Sequence, residues 1–211
     1  MVVLEPEAQR KLPKKYISVD IESSGPTPGK YTMLSFGACI VGDTTSQFYR
    51  ELKPISEAYI AGAMRIGCLG LSCIADMRDD HRYDPSHQEF LPPLVLARLR
   101  DQGSLPSKAM AEFDQWIRRS TAGYRPVLAA APIGFDGMWI HWYFDNFFAG
   151  ENPLGFGGED INSMYRGLRR DVETHSAELR LPREGTHHNA LDDAIYQAKE
   201  MEAILRLMRE E

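Results

Sequence analysis

Asp20 and Glu22 stand two residues apart in the stretch Tyr16-Ile17-Ser18-Val19-Asp20-Ile21-Glu22-Ser23-Ser24-Gly25. The β-branched Ile17, Val19 and Ile21 alternate with polar residues, the pattern of a half-buried strand. Side chains two apart on a strand share a face, so both carboxylates point the same way. Like charges held that close raise each other's pKa. A hard divalent cation such as Mg²⁺ takes oxygen ligands of this kind and relieves the repulsion. One reading is therefore a metal site at the C-terminal end of this strand. The other is an incidental pair with one carboxylate in solvent.

Three more residues could complete such a site. Asp136 opens a helix directly after the apolar run Tyr124 to Ala131, Asp193 lies in the first turn of the last helix, and His188 just precedes it. In open α/β sheets, ligand sites gather where strands end and helices begin. Each residue also has a plain alternative. Acids at helix N-termini are favoured by the dipole for ~0.3–1 kcal/mol, and His188 could be a loop histidine.

The elements that must position these residues follow from pattern and punctuation. Pro26-Thr27-Pro28-Gly29 turns the chain after the first strand, and Tyr31 to Val41 and Ser46 to Leu52 read as two more strands around Gly42-Asp43. Short turns imply an antiparallel meander. Ser56 to Met64 reads as a short helix, and Gly67 to about Ser104 as a charged surface excursion with a helix near Leu94 to Arg100. Its His81 and His87 read as solvated loop histidines, with a second metal site as the alternative. Pro106 to Ser120 has apolar residues at helical spacing. Tyr124 to Ala131 reads as a strand parallel to the first, and Phe135 to Phe148 as an aromatic-rich helix. A short strand at Glu159 to Ile161 leads to a helix capped by Asn162 or Ser163, and Asn189 caps a final helix to Met208. The fold class is mixed α/β, a five-stranded sheet flanked by helices.

The chain of 211 residues, 43% hydrophobic, can build a sizeable core. Residues 1–15 read as a polar lead-in and 16–211 as a single domain. Cys39, Cys68 and Cys73 lack zinc-ligand spacing and read as reduced thiols, which points to the cytoplasm. No apolar run approaches the ~20 residues that span a bilayer, so no membrane is expected. A net charge of −6 argues against broad coating of nucleic acid, though not against gripping a few nucleotides through metals. The aromatic stripe of Phe135 to Phe148 reads mostly as core packing, and its Trp139 to Phe148 region could also offer an exposed patch for a homodimer.

Taken in order, Asp20-Ile21-Glu22-Ser23-Ser24-Gly25, Phe135-Asp136 and His188-Asn189-Ala190-Leu191-Asp192-Asp193 resemble the three motifs of the DnaQ-like (DEDDh) 3′→5′ exonucleases. The resemblance spans Tyr16 to Leu205 and implies an RNase H-like fold. It implies two divalent metal ions, Mg²⁺ with Mn²⁺ able to substitute. Asp20 would bridge them, Glu22 and Asp193 would hold the ion carrying the attacking water, and Asp136 would support the other. His188 would be the general base. The substrate would be a nucleic acid 3′ end, single-stranded DNA or RNA, released as nucleoside 5′-monophosphates. The backbone of Ser23, Ser24 and Gly25, with the apolar Met33 or Leu34 nearby, would seat the terminal nucleotide. Two departures stand out: Ser23-Ser24 replaces the usual Thr-Thr, and Ala131-Pro132-Ile133-Gly134 lacks the Asn many members carry before the second Asp. The competing functions are a metal phosphohydrolase of nucleotides and a catalytically idle binding module.

Overall fold

The computed structural model describes residues 12–210. Strands β1 (Lys14–Ser23), β2 (Met33–Ile40) and β3 (Asp43–Glu51) form the antiparallel meander. β4 (Arg125–Ala130) pairs parallel with β1, and β5 (Gly158–Asp160) parallel with β4, giving the sheet order β3-β2-β1-β4-β5. The first strand is therefore central. β1 starts two residues earlier than Tyr16, so Lys14 and Lys15 of the expected lead-in belong to the sheet through pairing with Arg125 and Pro126. Residues 1–11 of that lead-in lie outside the described residues.

Helices cover both faces. On one, α3 (Pro106–Ser120) and α4 (Ile133–Phe147) bury Phe113, Trp116, Trp139 and Tyr143 against Ile17, Val19 and Phe36. Full burial of a Phe-sized side chain contributes about 1.5–3 kcal/mol. Trp139, Ile140, Tyr143 and Phe144 are all spent in this core, and Trp142, Phe147 and Phe148 pack on its edge. That is the core packing expected for most of this stripe; the exposed patch for a dimer does not form, and the argument for a homodimer goes with it. On the other face, α5 (Ile161–Arg169) and α6 (Ala190–Glu210) pack Ile161, Tyr165, Met201 and Ile204 over Ala129.

Some boundaries differ from the sequence reading. The short helix α1 spans Ala61–Gly67 rather than Ser56 to Met64. Residues before it stay extended because their polar groups are taken: Ser56 Oγ donates to Lys30 O, and Ile60 N–H donates to Ser24 O. Asp160, not Asn162 or Ser163, caps α5, its Oδ1 accepting the Ser163 N–H at 2.7 Å. Asn162 is instead buried, accepting from Ser176. The 67–104 excursion is not merely surface. Its 3₁₀ turn Ser72–Met77 and α2 (Pro92–Gln102) enclose a second core of Leu71, Ile74, Phe90, Val95 and Leu99 with Leu34. Those apolar residues are interspersed among charges, which hid their common face from a linear reading. Among the described residues no helix is long and apolar enough to cross a membrane.

One position in β2 decides how α6 docks. Gly37 is directly opposite Asp20 in the antiparallel register, so both face the same side. A Cβ at Gly37 would fall 2.4 Å from the backbone of Leu191. The start of α6 thus rests on bare backbone beside Asp20. Gly37→Ala is expected to destabilise the protein by at least about 1–3 kcal/mol, the usual cost of overpacking, and to depress activity in the fraction that folds. Urea denaturation and a nuclease assay on the same preparation check both.

Candidate active site

β1 outruns β4. The parallel pairing ends at Ser18 with Ala129, leaving Asp20, Ile21 and Glu22 beyond the partner strand. The freed N–H of Ile21 donates to Asp136 Oδ1 at 3.1 Å. Asp136 sits in the first turn of α4, immediately after β4, so the strand-to-helix connection brings it to the open end of β1. It is 3% exposed.

The start of α6 approaches from the other side. Asn189 caps it as the sequence implies, its Oδ1 accepting the N–H groups of Leu191 and Asp192 at 3.0 and 3.2 Å. Asn189 Nδ2 also donates to Gly70 O at 2.8 Å, tying the cap to the 67–104 segment. Asp193 Oδ2 accepts the backbone N–H of His188 at 3.1 Å. His188 itself has φ +62°, a left-handed backbone uncommon for a non-glycine residue. This conformation turns its ring inward, with Nδ1 3.9 Å from Glu22 Oε1.

Asp20, Glu22, Asp136, His188 and Asp193 all line one cavity of about 570 Å³. Ligand atoms of Glu22, His188 and Asp193 lie within 4.8 Å of one another. Burial, reinforced by Asp136 and Glu22, raises the Asp20 carboxyl well above its ordinary value. Burial, then Asp136, pushes Glu22 up to about 8, and burial brings Asp136 to about 7. His188 moves the other way, lowered by burial and by the nearby His187 and Arg183. Three crowded carboxylates that resist ionising are a donor set short of positive charge. Their oxygens suit a hard divalent ion, so the residues present fit the metal that the motifs imply.

The residues expected to seat the nucleotide lie elsewhere. Ser23, Ser24, Gly25, Met33 and Leu34 are absent from the cavity lining. Ser24 is fully buried, its Oγ donating to Ala58 O at 2.9 Å and accepting the Thr32 N–H at 3.0 Å. Ser23 Oγ donates to Gly25 O at 2.8 Å. Met33 belongs to the main core and Leu34 to the second one. Hydrogen bonding within the turn and packing already employ these side chains. His81 and His87 are likewise outside the cavity, stacked on each other with ring centroids 3.8 Å apart.

Residues 96–205 match the family described as the 3′-5′ exoribonuclease Rv2179c-like domain. The chain is also 35% identical, over 87% of its length and 88% of the relative's, to the 3′-5′ DNA exonuclease Cap18 of Escherichia coli. The chain belongs to the Rv2179c-like exonuclease family. It is a DEDDh-type 3′→5′ exonuclease, a hydrolase of phosphodiester bonds. Solved structures agree on the fold. The nuclease domain of the DEDDh member 3′hExo bound to rAMP superposes with a TM-score of 0.61 at 12% identity, covering 91% of this chain and 92% of that one. The zinc-bound E. coli ExoI complex with single-stranded DNA gives 0.62 at 14% identity, covering 94% of this chain and 42% of that one.

Within this Rv2179c-like chain, several cavity residues escaped the motif reading. Gln197 is 7% exposed and donates from Nε2 to Asp20 Oδ1 at 2.8 Å, while its Oε1 accepts the Ala131 N–H at 2.9 Å. It therefore fixes Asp20 against the β4 end. Its signal was there: Gln197 follows Asp193 by four residues, one helical turn, and interrupts the apolar stripe of Ala194, Ala198 and Met201. Glu200 is 4% exposed and Arg183 reaches in from the preceding loop. Gln197→Leu is expected to weaken divalent-ion binding by about 10–100-fold, the usual effect of losing a partner that orients a ligand. Calorimetric titration with Mn²⁺ measures it.

Proposed function

We propose that this exonuclease removes nucleotides one at a time from the 3′ end of a single-stranded nucleic acid, using two divalent ions and His188 as general base. The observation that carries this reading is the convergence of four carboxylates and one imidazole from β1, α4 and the start of α6 on one cavity. Asp20, Glu22, Asp193 and Asp136 would hold the ions, Mg²⁺ or Mn²⁺. When bound, such ions neutralise the phosphate and supply a water that ionises near neutral pH.

The chain's own groups do the rest. His188, whose pKa burial, His187 and Arg183 all lower, takes the proton from the attacking water. Its backbone N–H, given to Asp193, couples the base to a ligand. Gln197 and the Ile21 N–H hold Asp20 and Asp136 in fixed orientations. The cavity is of the size that takes one small ligand, about 300–1,000 Å³, which supports a single terminal nucleotide over a duplex. The rAMP and single-stranded DNA bound to the two solved neighbours support the same reading.

The test is one gel series. Single-stranded and duplex DNA and RNA oligonucleotides, labelled at the 5′ end, are incubated with Mg²⁺ or Mn²⁺ and with EDTA. A metal-dependent ladder from single strands is expected. A single internal cut, or turnover of mononucleotides alone, overturns the proposal. The DNA and RNA lanes also decide between the two polymers named for the relative and for the family.

A further inference from the structure

Among the described residues, Arg183 is the one lysine or arginine that lines the cavity, whose acidic members are Asp20, Glu22, Asp136, Asp193 and Glu200. Its guanidinium donates to Asp193 Oδ1. It also lies over the Tyr196 ring, 4.7 Å from the centroid. The other oxygen of Asp193 is taken by the His188 N–H. Both oxygens of this carboxylate therefore accept a hydrogen bond, and the guanidinium charge at Oδ1 opposes any ion that Asp193 would hold. Arg183 is in the position of a stand-in cation.

The surroundings say where the guanidinium goes when it lets go. Tyr196 follows Asp193 by three residues on α6, so the two share a helix face. Cation–π contact with the ring keeps the guanidinium at the cavity while releasing its donors. The residues around Arg183 form no helix or strand, so the side chain is not tied to a rigid element. A phosphodiester entering among five carboxylates meets an unfavourable field, and charge builds on its non-bridging oxygens in the transition state. A planar guanidinium matches those oxygens in a way that a point charge does not.

We propose that Arg183 is a further catalytic residue, resting on Asp193 in the free protein and turning to a non-bridging oxygen of the scissile phosphate when ions and substrate are bound. This rests on the metal-site reading above. The test compares wild type with R183Q and R183K. Without nucleic acid, calorimetry with Mn²⁺ is expected to show R183Q binding about tenfold more tightly, because a competitor for Asp193 has gone. On a single-stranded oligonucleotide, kcat of R183Q is expected to fall about 10²-fold with a smaller change in KM, and R183K to fall in between. Weaker Mn²⁺ binding by R183Q would make Arg183 a support for Asp193 and overturn the proposal. Tighter binding with unchanged kcat would overturn it too. A wild type that binds no Mn²⁺ would fail at the site reading itself, and this proposal would fall with it.

Discussion

Asp20→Asn is expected to abolish hydrolysis and, in metal-free protein above neutral pH, to raise the melting temperature. The two effects share one cause. Asp20 is the carboxylate that Gln197 clamps between Asp136 and Glu22, and both of those neighbours oppose its ionisation. Asparagine keeps an oxygen to accept the Gln197 bond while removing the charge. Loss of an ion that stabilises transition-state charge by several kcal/mol corresponds to at least about 10³-fold in rate. Stability moves in the opposite direction. Glu22, at about 8 in the folded protein against an ordinary 4.5, binds its proton more tightly folded than unfolded. Its contribution is full below the unfolded value and is lost as pH rises toward about 8. Asp136, raised to about 7, and Asp20 follow the same direction. Metal-free wild type should therefore lose stability across this window, and Asp20→Asn should lose less. Each kcal/mol relieved raises the melting temperature of a chain this size by about 2–4 °C. Mn²⁺ should stabilise wild type and leave the variant nearly unmoved. Calorimetric melts at acid and alkaline pH, with and without Mn²⁺, read all of this. A variant that melts no higher than wild type above neutral pH would remove the strain argument, and one that keeps its activity would remove the ligand assignment.

His188→Asn is expected to cut kcat by about 10²–10⁴-fold, the contribution of a positioned general base, while Mn²⁺ binding persists. Asparagine is the appropriate substitution because the backbone here has φ +62° and asparagine, like histidine, tolerates that region. Alanine would confound the result with strain. The pH profile separates a base from a ligand. The folded environment lowers the His188 pKa below its ordinary 6.5, so the imidazole stays neutral until the solution is more acidic than that. At saturating Mn²⁺, which keeps the carboxylates ionised, the wild-type rate should fall on an acid limb below 6.5, and that limb should be missing in His188→Asn. His187 is the built-in control: its ring also lines the cavity, 3.9 Å from that of His188. His187→Ala should change kcat only a few-fold. Lost Mn²⁺ binding in His188→Asn would reassign this residue as a ligand, and equal sensitivity at His187 would undo the choice between the two.

Much of the fold and the core of the site was legible because short-range rules govern both. Alternation placed Asp20 and Glu22 on one face of β1, and helical spacing delimited α3 at Pro106–Ser120. Capping chemistry located the start of α6, and strand-helix junctions singled out Asp136 and Asp193. Spacing along the chain carries each of these, and the order of elements then fixes which strands can be neighbours. The aromatic run was rightly read as mostly core, but its composition is apolar almost all round, so no polar face showed which of its residues point inward. The resemblance implied a substrate seat at the Ser23 to Gly25 backbone with Met33 or Leu34, and the fold packs Met33 and Leu34 into its two cores. Whether a side chain near a motif faces the cavity or the core is not a local property.

The sequence by itself determined which residues carry the carboxylates and the imidazole, and that strand ends and helix starts present them. The tertiary structure alone decided how near they come and what holds them. Gly37 lies opposite Asp20 and admits the backbone of Leu191, so α6 can bring Asp193 and His188 to the open end of β1. Gln197, more than 170 residues from Asp20 along the chain, joins it to the end of β4. Arg183 enters the same acidic cavity from a loop that no motif marks. Periodicity encodes the direction in which a side chain leaves its own element. It does not encode which other element stands there to receive it, because that depends on bare backbone, burial and charge brought together by the fold.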